Sequence, residues 1–264
     1  MKKLFFLLMA IMAVTVISCN KEPNGKEDDT PKGPQFRIKT LSYCDGENLA
    51  KPEDAGWFDT WTYTYDAQGR VIDVDRGSDS NHWTFAYADN KVTVNRKDGK
   101  EVYELTLNSD GVCTSILDDV KESDWGAYKE TATFEYDATL RPIKISKEGE
   151  LRSVITLRDN CLVSWTKEKD NRKRTFTYNT TKNVGDLHAI YSEAIDPPAR
   201  WMYETGLFGK GPEYLPATSV WEDDPENGST ITCEVDANGY CTSEKKVFPG
   251  GWTEYFVITW EKIE

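Results

Sequence analysis

Histidine is nearly missing from this chain. His82 and His188 are the two copies among 264 residues, and they lie in unrelated contexts, beside Trp83 and after Asp186-Leu187. Nucleophilic triads and the common zinc sites lean on histidine, so both chemistries are starved. Gly-x-Ser-x-Gly, His-Glu-x-x-His and phosphate-loop patterns are also absent. Positive charge is short too. Lys and Arg number 32 against 45 Asp and Glu, a formal net charge of −13, with no basic cluster to offer a local exception. Such a surface repels phosphate backbones and anionic lipid, which excludes nucleic acid as a partner. Long apolar runs are lacking as well. A spanning helix needs roughly 20 apolar residues, and the longest run, Leu4 to Ile17, has fourteen. Beyond Cys19 the cysteines are Cys44, Cys113, Cys161, Cys233 and Cys241, an odd set that cannot complete a disulfide framework. At most two bridges fit, and their pairing is not readable. No cofactor or metal is expected.

What is present begins with the leader. Lys2 and Lys3 precede the apolar run and Ser18-Cys19 follows it, the layout of a signal-peptide core. Val16-Ile17-Ser18-Cys19 resembles the lipobox of bacterial lipoproteins, with Ile17 where Ala or Ser is usual. The resemblance implies that residues 1–18 are removed and that Cys19, diacylated, becomes the first residue. Loss of Lys2 and Lys3 takes the formal charge from −13 to −15. One acyl chain holds a membrane only marginally, at ~0.8 kcal/mol per buried methylene, so a diacyl group is what anchors stably. Residues 19–35 carry lysines, acids, three Pro and two Gly up to Pro34 without a large apolar side chain, and read as a flexible tether. Glu22, Glu27, Asp28 and Asp29 resemble the surface-export signals of Bacteroidota-type lipoproteins. The expected location is the cell envelope, lipid-anchored at the outer membrane and open to surface display.

Residues 36–264 repeat one hairpin. Tyr65-Asp66-Ala67-Gln68-Gly69-Arg70-Val71 matches Val235 to Cys241 and Leu107 to Cys113, with degenerate copies at Tyr136 to Pro142 and Tyr178 to Asn183. Asp or Asn caps the first corner, and Gly takes the positive φ that closes a type I turn with a bulge. The flanks alternate with period two. Trp61, Tyr63 and Tyr65 share a face with the patterns of Trp83/Phe85/Tyr87, Tyr103/Leu105/Leu107, Phe134/Tyr136, Phe176/Tyr178 and Phe256/Ile258/Trp260. The other face carries Thr, Lys, Glu and Asp. The expected fold is all-β, one large antiparallel meander forming a rolled or barrel-like sheet. Cys113 and Cys241 occupy the position of Val71, so each reads as a small apolar residue opening a return strand.

The rhythm breaks at Asp196-Pro197-Pro198, where a cap and two prolines suit a first helical turn. A short helix over Ala199 to Thr205 is expected, followed by an irregular stretch to Pro216. This insertion at 196–216 is expected to cover a sheet edge or plug an open end. Two families are similar at this level. The YD repeats of large bacterial shell proteins carry Tyr-Asp-x-x-Gly-Arg, as Tyr65 to Arg70 does. Closer is the domain-of-unknown-function family 4595, secreted bacterial lipoproteins with hairpins like Asp236 to Thr242 and a Leu-Phe-Gly-Lys…Leu-Pro insertion like residues 207–216. That resemblance implies a porin-like β fold and no assigned activity. A membrane-spanning barrel is disfavoured, because Asp73, Asp75, Arg96, Glu104, Lys144 and Lys147 are expected on the outer face, where lipid requires an apolar band.

The leading expectation for function is a non-enzymatic, lipid-anchored binding or interaction module with a carbohydrate or protein ligand. A glycan-binding accessory protein using exposed tryptophans is the first alternative, with Trp57, Trp125, Trp201, Trp221 and Trp252 as candidates. A carboxylate-dependent hydrolase is the second. Asp73, Asp75 and Asp79, and Asp223 to Gly228, offer oxygens for calcium but miss the twelve-residue loop pattern.

Overall fold

The computed structural model describes residues 35–55, 59–123, 126–188 and 200–263. They belong to one compact unit, residues 35–264. Cys19, the leader and the tether as far as Pro34 lie outside the described residues, as do Trp57, Trp125 and Asp196 to Ala199.

Sixteen antiparallel strands run in chain order. They are β1 (Phe36–Glu47), β2 (Asp59–Tyr65), β3 (Val71–Asp75), β4 (His82–Ala88), β5 (Lys91–Arg96), β6 (Glu101–Leu107), β7 (Cys113–Val120) and β8 (Tyr128–Tyr136). Then follow β9 (Pro142–Lys147), β10 (Glu150–Arg158), β11 (Cys161–Lys167), β12 (Arg172–Lys182), β13 (Tyr214–Trp221), β14 (Asp224–Val235), β15 (Cys241–Val247) and β16 (Trp252–Lys262). Among the described residues one α-helix, α1 (Arg200–Tyr203), precedes β13. Each strand pairs with its sequence neighbours, and β16 pairs with β1 from Phe36↔Lys262 to Glu47↔Trp252. The sheet is a closed barrel, and closure removes the unpaired edges that invite aggregation.

The hairpin turns explain why neighbours pair. Asp66 accepts the backbone N–H of Gln68 and Arg70 on one carboxylate oxygen, at 3.0 and 2.9 Å. Asn108, Asp137 and Asp236 repeat this with the residues two and four further on. Each turn is followed by a register shift, the expected bulge. Gly69, Gly111 and Gly239 hold the positive-φ corner; in the fourth turn Leu140 holds it at φ 64°. The copy at Tyr178 departs from expectation. Asn179 takes only the first N–H, of Thr181, and β12 runs on to Lys182.

A second local device ties hairpins together at this turn end. An aromatic near the end of an even-numbered strand donates to the carbonyl of the residue that opens, or nearly opens, the strand before it. Tyr65 bonds Ile38, Tyr87 bonds Val71, Tyr136 bonds Cys113, Tyr178 bonds Leu162 and Trp260 bonds Cys241, all at 2.6 to 2.9 Å. Phenol and indole donors thus remain satisfied while their rings pack inward. Cys113 and Cys241 are buried like Val71, and their thiols bond Ser115 and Ser243 carbonyls alike, as their shared turn position implies.

Residues directly opposite across a ladder share a face. Thr64, Asp73, Thr84, Asn95, Val102, Asp119 and Lys129 follow one another in register around the outside. Inside, one hydrophobic cluster draws on fifteen of the strands, from Ile38 through Tyr63, Phe85, Phe134 and Trp165 to Ile258, with Cys233 of β14 packed against it. Two outer-face expectations are corrected here. Arg96 pairs with buried Trp83, and Lys147 with buried Ala132, so both point inward. Each continues the phase of an apolar neighbour two residues back, Val94 and Ile145, and that phase outranks the side chain's own polarity.

The insertion between β12 and β13 enters the barrel from the turn end. Trp201, Met202, Tyr203, Leu207 and Phe208 join the strand cluster. Trp201 stacks on Trp83 at 4.5 Å, and Phe208 meets Phe134 edge-on at 5.5 Å. Backbone bonds fix the entry: Cys113 N–H to Leu207 at 2.7 Å and Lys210 N–H to Leu140 at 2.9 Å. Asn183 braces the base through both Leu187 and Pro212. Gly209 is required where it sits, since a Cβ there would lie 2.1 Å from the Leu140 oxygen and its φ is 81°. Of the two expected roles, the insertion takes the plug; a closed barrel leaves no edge for it to cover.

Candidate functional site

The plug is held by charges that a barrel interior would otherwise expel. Arg200 makes a bidentate pair with Glu244 of β15 at 3.2 and 3.0 Å and lies 3.7 Å from the Phe256 ring centre. It also meets Glu204 one turn on, at 3.4 Å. The Glu204 carboxylate accepts the His188 backbone N–H and lies 3.6 Å from the His188 ring nitrogen Nδ1. His188 Nε2–H donates to the Gly209 carbonyl at 3.0 Å. Burial pushes the His188 pKa down, but the Glu204 carboxylate outweighs it and the net shift is upward. Burial resists ionisation of Glu204, yet His188 and Arg200 hold its pKa below the usual range. His188 is thus the buried clasp of the plug, 2 % exposed.

The opposite end of the interior, nearest the β1–β2, β3–β4, β5–β6 and β11–β12 loops, is aromatic and polar. Trp61, Trp83, Trp165 and Trp221 all fall on the inner face close to the loop ends of their strands. Trp165 and Trp221 lie 5.2 Å apart, with Arg174 and Arg172 over Trp221 at 5.1 and 4.3 Å. Arg76 lies over Trp61 at 5.1 Å and bonds Asp59 at 2.8 Å. The indole N–H groups of Trp61, Trp83 and Trp165 are buried and have no hydrogen-bond partner. That matters, because an unmade buried hydrogen bond costs about 1–3 kcal/mol.

On the neighbouring wall, Phe85, Val94, Tyr103, Asp118 and Glu130 form one inner row. Asp118 is 3 % exposed. Burial, then the charge of Glu101, push its pKa up to about 6. Tyr128 donates to one Asp118 oxygen at 3.1 Å, while Oδ1 has no partner. Other acids of this end are matched. Arg96 pairs with Asp98 at 2.8 Å and Glu101 at 2.7 Å, and Tyr103 donates to Glu101. Lys147 pairs with Glu130 at 2.5 Å and Lys246 with Glu254 at 3.7 Å. Burial lowers Lys246 to about 8 against the pull of Glu254, and lowers Arg174 to about 10.

The remaining sequence candidates scatter. Trp201 is buried under Trp83, and Trp252 is 45 % exposed. His82 lies between Asp73 and Asp75, Asp79 pairs with Lys97, and Asp223 pairs with Arg172. Among the described residues no group of three or more His, Cys, Asp or Glu is placed to hold a metal ion. All five cysteines after Cys19 are free thiols. Sequence reasoning overlooked Asp118, although counting two from Ile116 places it inward and leaves Asp119 outside.

No family model and no curated protein matches the chain. Solved structures do. A porin-like protein from Bacteroides uniformis superposes with a TM-score of 0.64 at 20 % identity, over 85 % of this chain and 98 % of that one. A porin-like protein from Bacteroides vulgatus gives 0.55 at 9 % identity, over 86 % and 99 %. The likeness is one of fold. Neither that likeness nor the barrel itself makes a channel, since the interior of this barrel is the hydrophobic core.

Proposed function

We propose that this protein is a lipid-anchored module of the bacterial cell envelope, a plugged barrel that binds a ligand and neither spans the membrane nor catalyses a reaction. One observation carries the reading. A spanning barrel turns an apolar band outward and a polar lumen inward; here the apolar cluster fills the inside with the plug, while Thr, Asp, Asn and Lys follow in register outside. Attachment then falls to the diacylated Cys19 and the tether of residues 19–35. The likeness of residues 207–216 and 236–242 to family 4595, and the porin-like Bacteroides barrels, support placing it among Bacteroidota envelope lipoproteins at the outer membrane.

The test pairs two assays on the full chain. Labelling with a palmitate analogue is expected to mark wild type and not Cys19→Ala, and the variant is expected to leave the detergent phase for the aqueous phase. Purified wild type in planar bilayers is expected to show no unitary conductance. Steady channel openings, or membrane retention of Cys19→Ala equal to wild type, would overturn the proposal.

A further inference from the structure

We infer that the loop end of the barrel interior is a binding site for a neutral oligosaccharide. The inference rests on the binding-module reading and deepens it by naming the ligand class. Three observations converge. First, the wall is aromatic, with Trp165 and Trp221 on one side, Trp61 on the other, and Trp83 stacked on Trp201 of the plug. Aromatic faces suit ligands with apolar C–H surfaces. Second, the wall carries unmet hydrogen-bonding groups of both kinds. Trp61, Trp83 and Trp165 each hold a buried N–H without an acceptor, and Asp118 holds a buried oxygen without a donor. Trp83 and Trp165 are 7 % exposed and Asp118 3 %, so these are groups set into the wall rather than surface decoration.

Third, the cations named at this end already have acid partners. Arg76 with Asp59, Arg96 with Asp98 and Glu101, Lys147 with Glu130, and Lys246 with Glu254 are paired, and the buried Asp118 carboxylate repels an anionic ligand. A ligand that answers all three demands has apolar faces, accepts hydrogen bonds from indoles and donates one to a carboxylate. Sugar hydroxyls do both, and rings present the C–H faces. Trp83 on β4 and Asp118 on β7 are three strands apart, roughly 14 Å at the usual spacing. One ring cannot reach both, so the site calls for an oligomer.

The experiment titrates full-length wild type, following tryptophan fluorescence and heat, with neutral hexasaccharides of glucose, mannose, galactose and xylose, and with hexagalacturonate. At least one neutral hexamer is expected to bind saturably, and hexagalacturonate is not. Trp165→Phe keeps a packed ring but deletes the N–H, and is expected to weaken binding roughly 2–10-fold. Asp118→Asn removes the charged acceptor and is expected to weaken it about 10-fold or more. Trp252→Phe, on an exposed ring, is expected to change nothing. Near-ultraviolet circular dichroism confirms that each variant is folded; were Asp118→Asn to unfold, Trp165→Phe alone carries the decision. Binding by no neutral hexamer, binding of hexagalacturonate alone, or neutral binding indifferent to Trp165→Phe would overturn the inference. A flat panel with no bilayer conductance sinks the carbohydrate and leaves the module standing, whereas channel openings sink the module itself.

Discussion

Arg200→Met cuts the plug's main tether while preserving an unbranched stem of similar length. In wild type the guanidinium lies between Glu244 and Glu204, at 3.0 and 3.4 Å, with side-chain exposures of 9 %, 3 % and 1 %. Removing one partner of a buried pair costs about 3–5 kcal/mol, because the charge left behind is dry and unmatched. Here Glu204 keeps His188, so the stranded charge is chiefly Glu244 and the lower figure applies. A loss of about 3 kcal/mol is a shift of about a hundredfold in the folded-to-unfolded ratio. Urea denaturation followed by circular dichroism would show a lower midpoint with an unchanged slope. Arg200→Met/Glu244→Met removes both charges and is expected to recover at least half of the loss. A single-variant cost below about 1 kcal/mol, or a double variant as weak as the sum of its singles, would refute the buried-tether account.

Three further outcomes follow from the same geometry. Gly209→Ala puts a Cβ against the Leu140 oxygen and strains a φ of 81°, so a loss of about 3 kcal/mol is expected, seen as a fall of roughly 6–12 °C in Tm; an unchanged Tm would mean that the plug's entry is slack. Leu140→Gly removes the left-handed strain that its sister turns avoid with glycine, and a gain of up to about 1 kcal/mol should appear as a higher urea midpoint. A lower midpoint would show that Leu140 packing outweighs the strain. For pH the signs differ by group. His188 is raised, so its contribution is full below its unfolded value of about 6.5 and fades as pH rises through the folded value. Glu204 is lowered, so its contribution is present above about 4.3 and fades as pH falls. Asp118, raised to about 6, loses stability as pH climbs from about 4 through 6. Wild-type urea midpoints minus those of His188→Gln should therefore decline above pH 6.5, and minus those of Asp118→Asn between pH 4 and 6; flat differences would remove the respective assignments.

Much of this was legible without coordinates, and the particular failures show where legibility stops. Asp66, Asn108, Asp137 and Asp236 bond residues at most four positions away, so their turns and bulges are written in a few letters. Asn179 looks alike but lacks the positive-φ corner, and its strand continues. Arg96 and Lys147 point inward with Val94 and Ile145, because strand phase outranks side-chain polarity. The unmet N–H groups belong to the face tryptophans Trp61, Trp83 and Trp165 and not to the loop tryptophans, a property no sequence displays.

The sequence by itself determined the strands, the turns between them and the two-sidedness of each strand, because alternation and turn chemistry are properties of neighbouring residues. It determined the all-β class and the candidacy of Cys19 as an anchor. The tertiary structure alone decided that the aromatic face is an interior. That follows from β1 meeting β16 across more than two hundred residues, a closure set by summed twist and stagger rather than by any short motif. Closure also decided the fate of the insertion, since a barrel this wide has a lumen to fill, and Trp201, Tyr203 and Phe208 fill it.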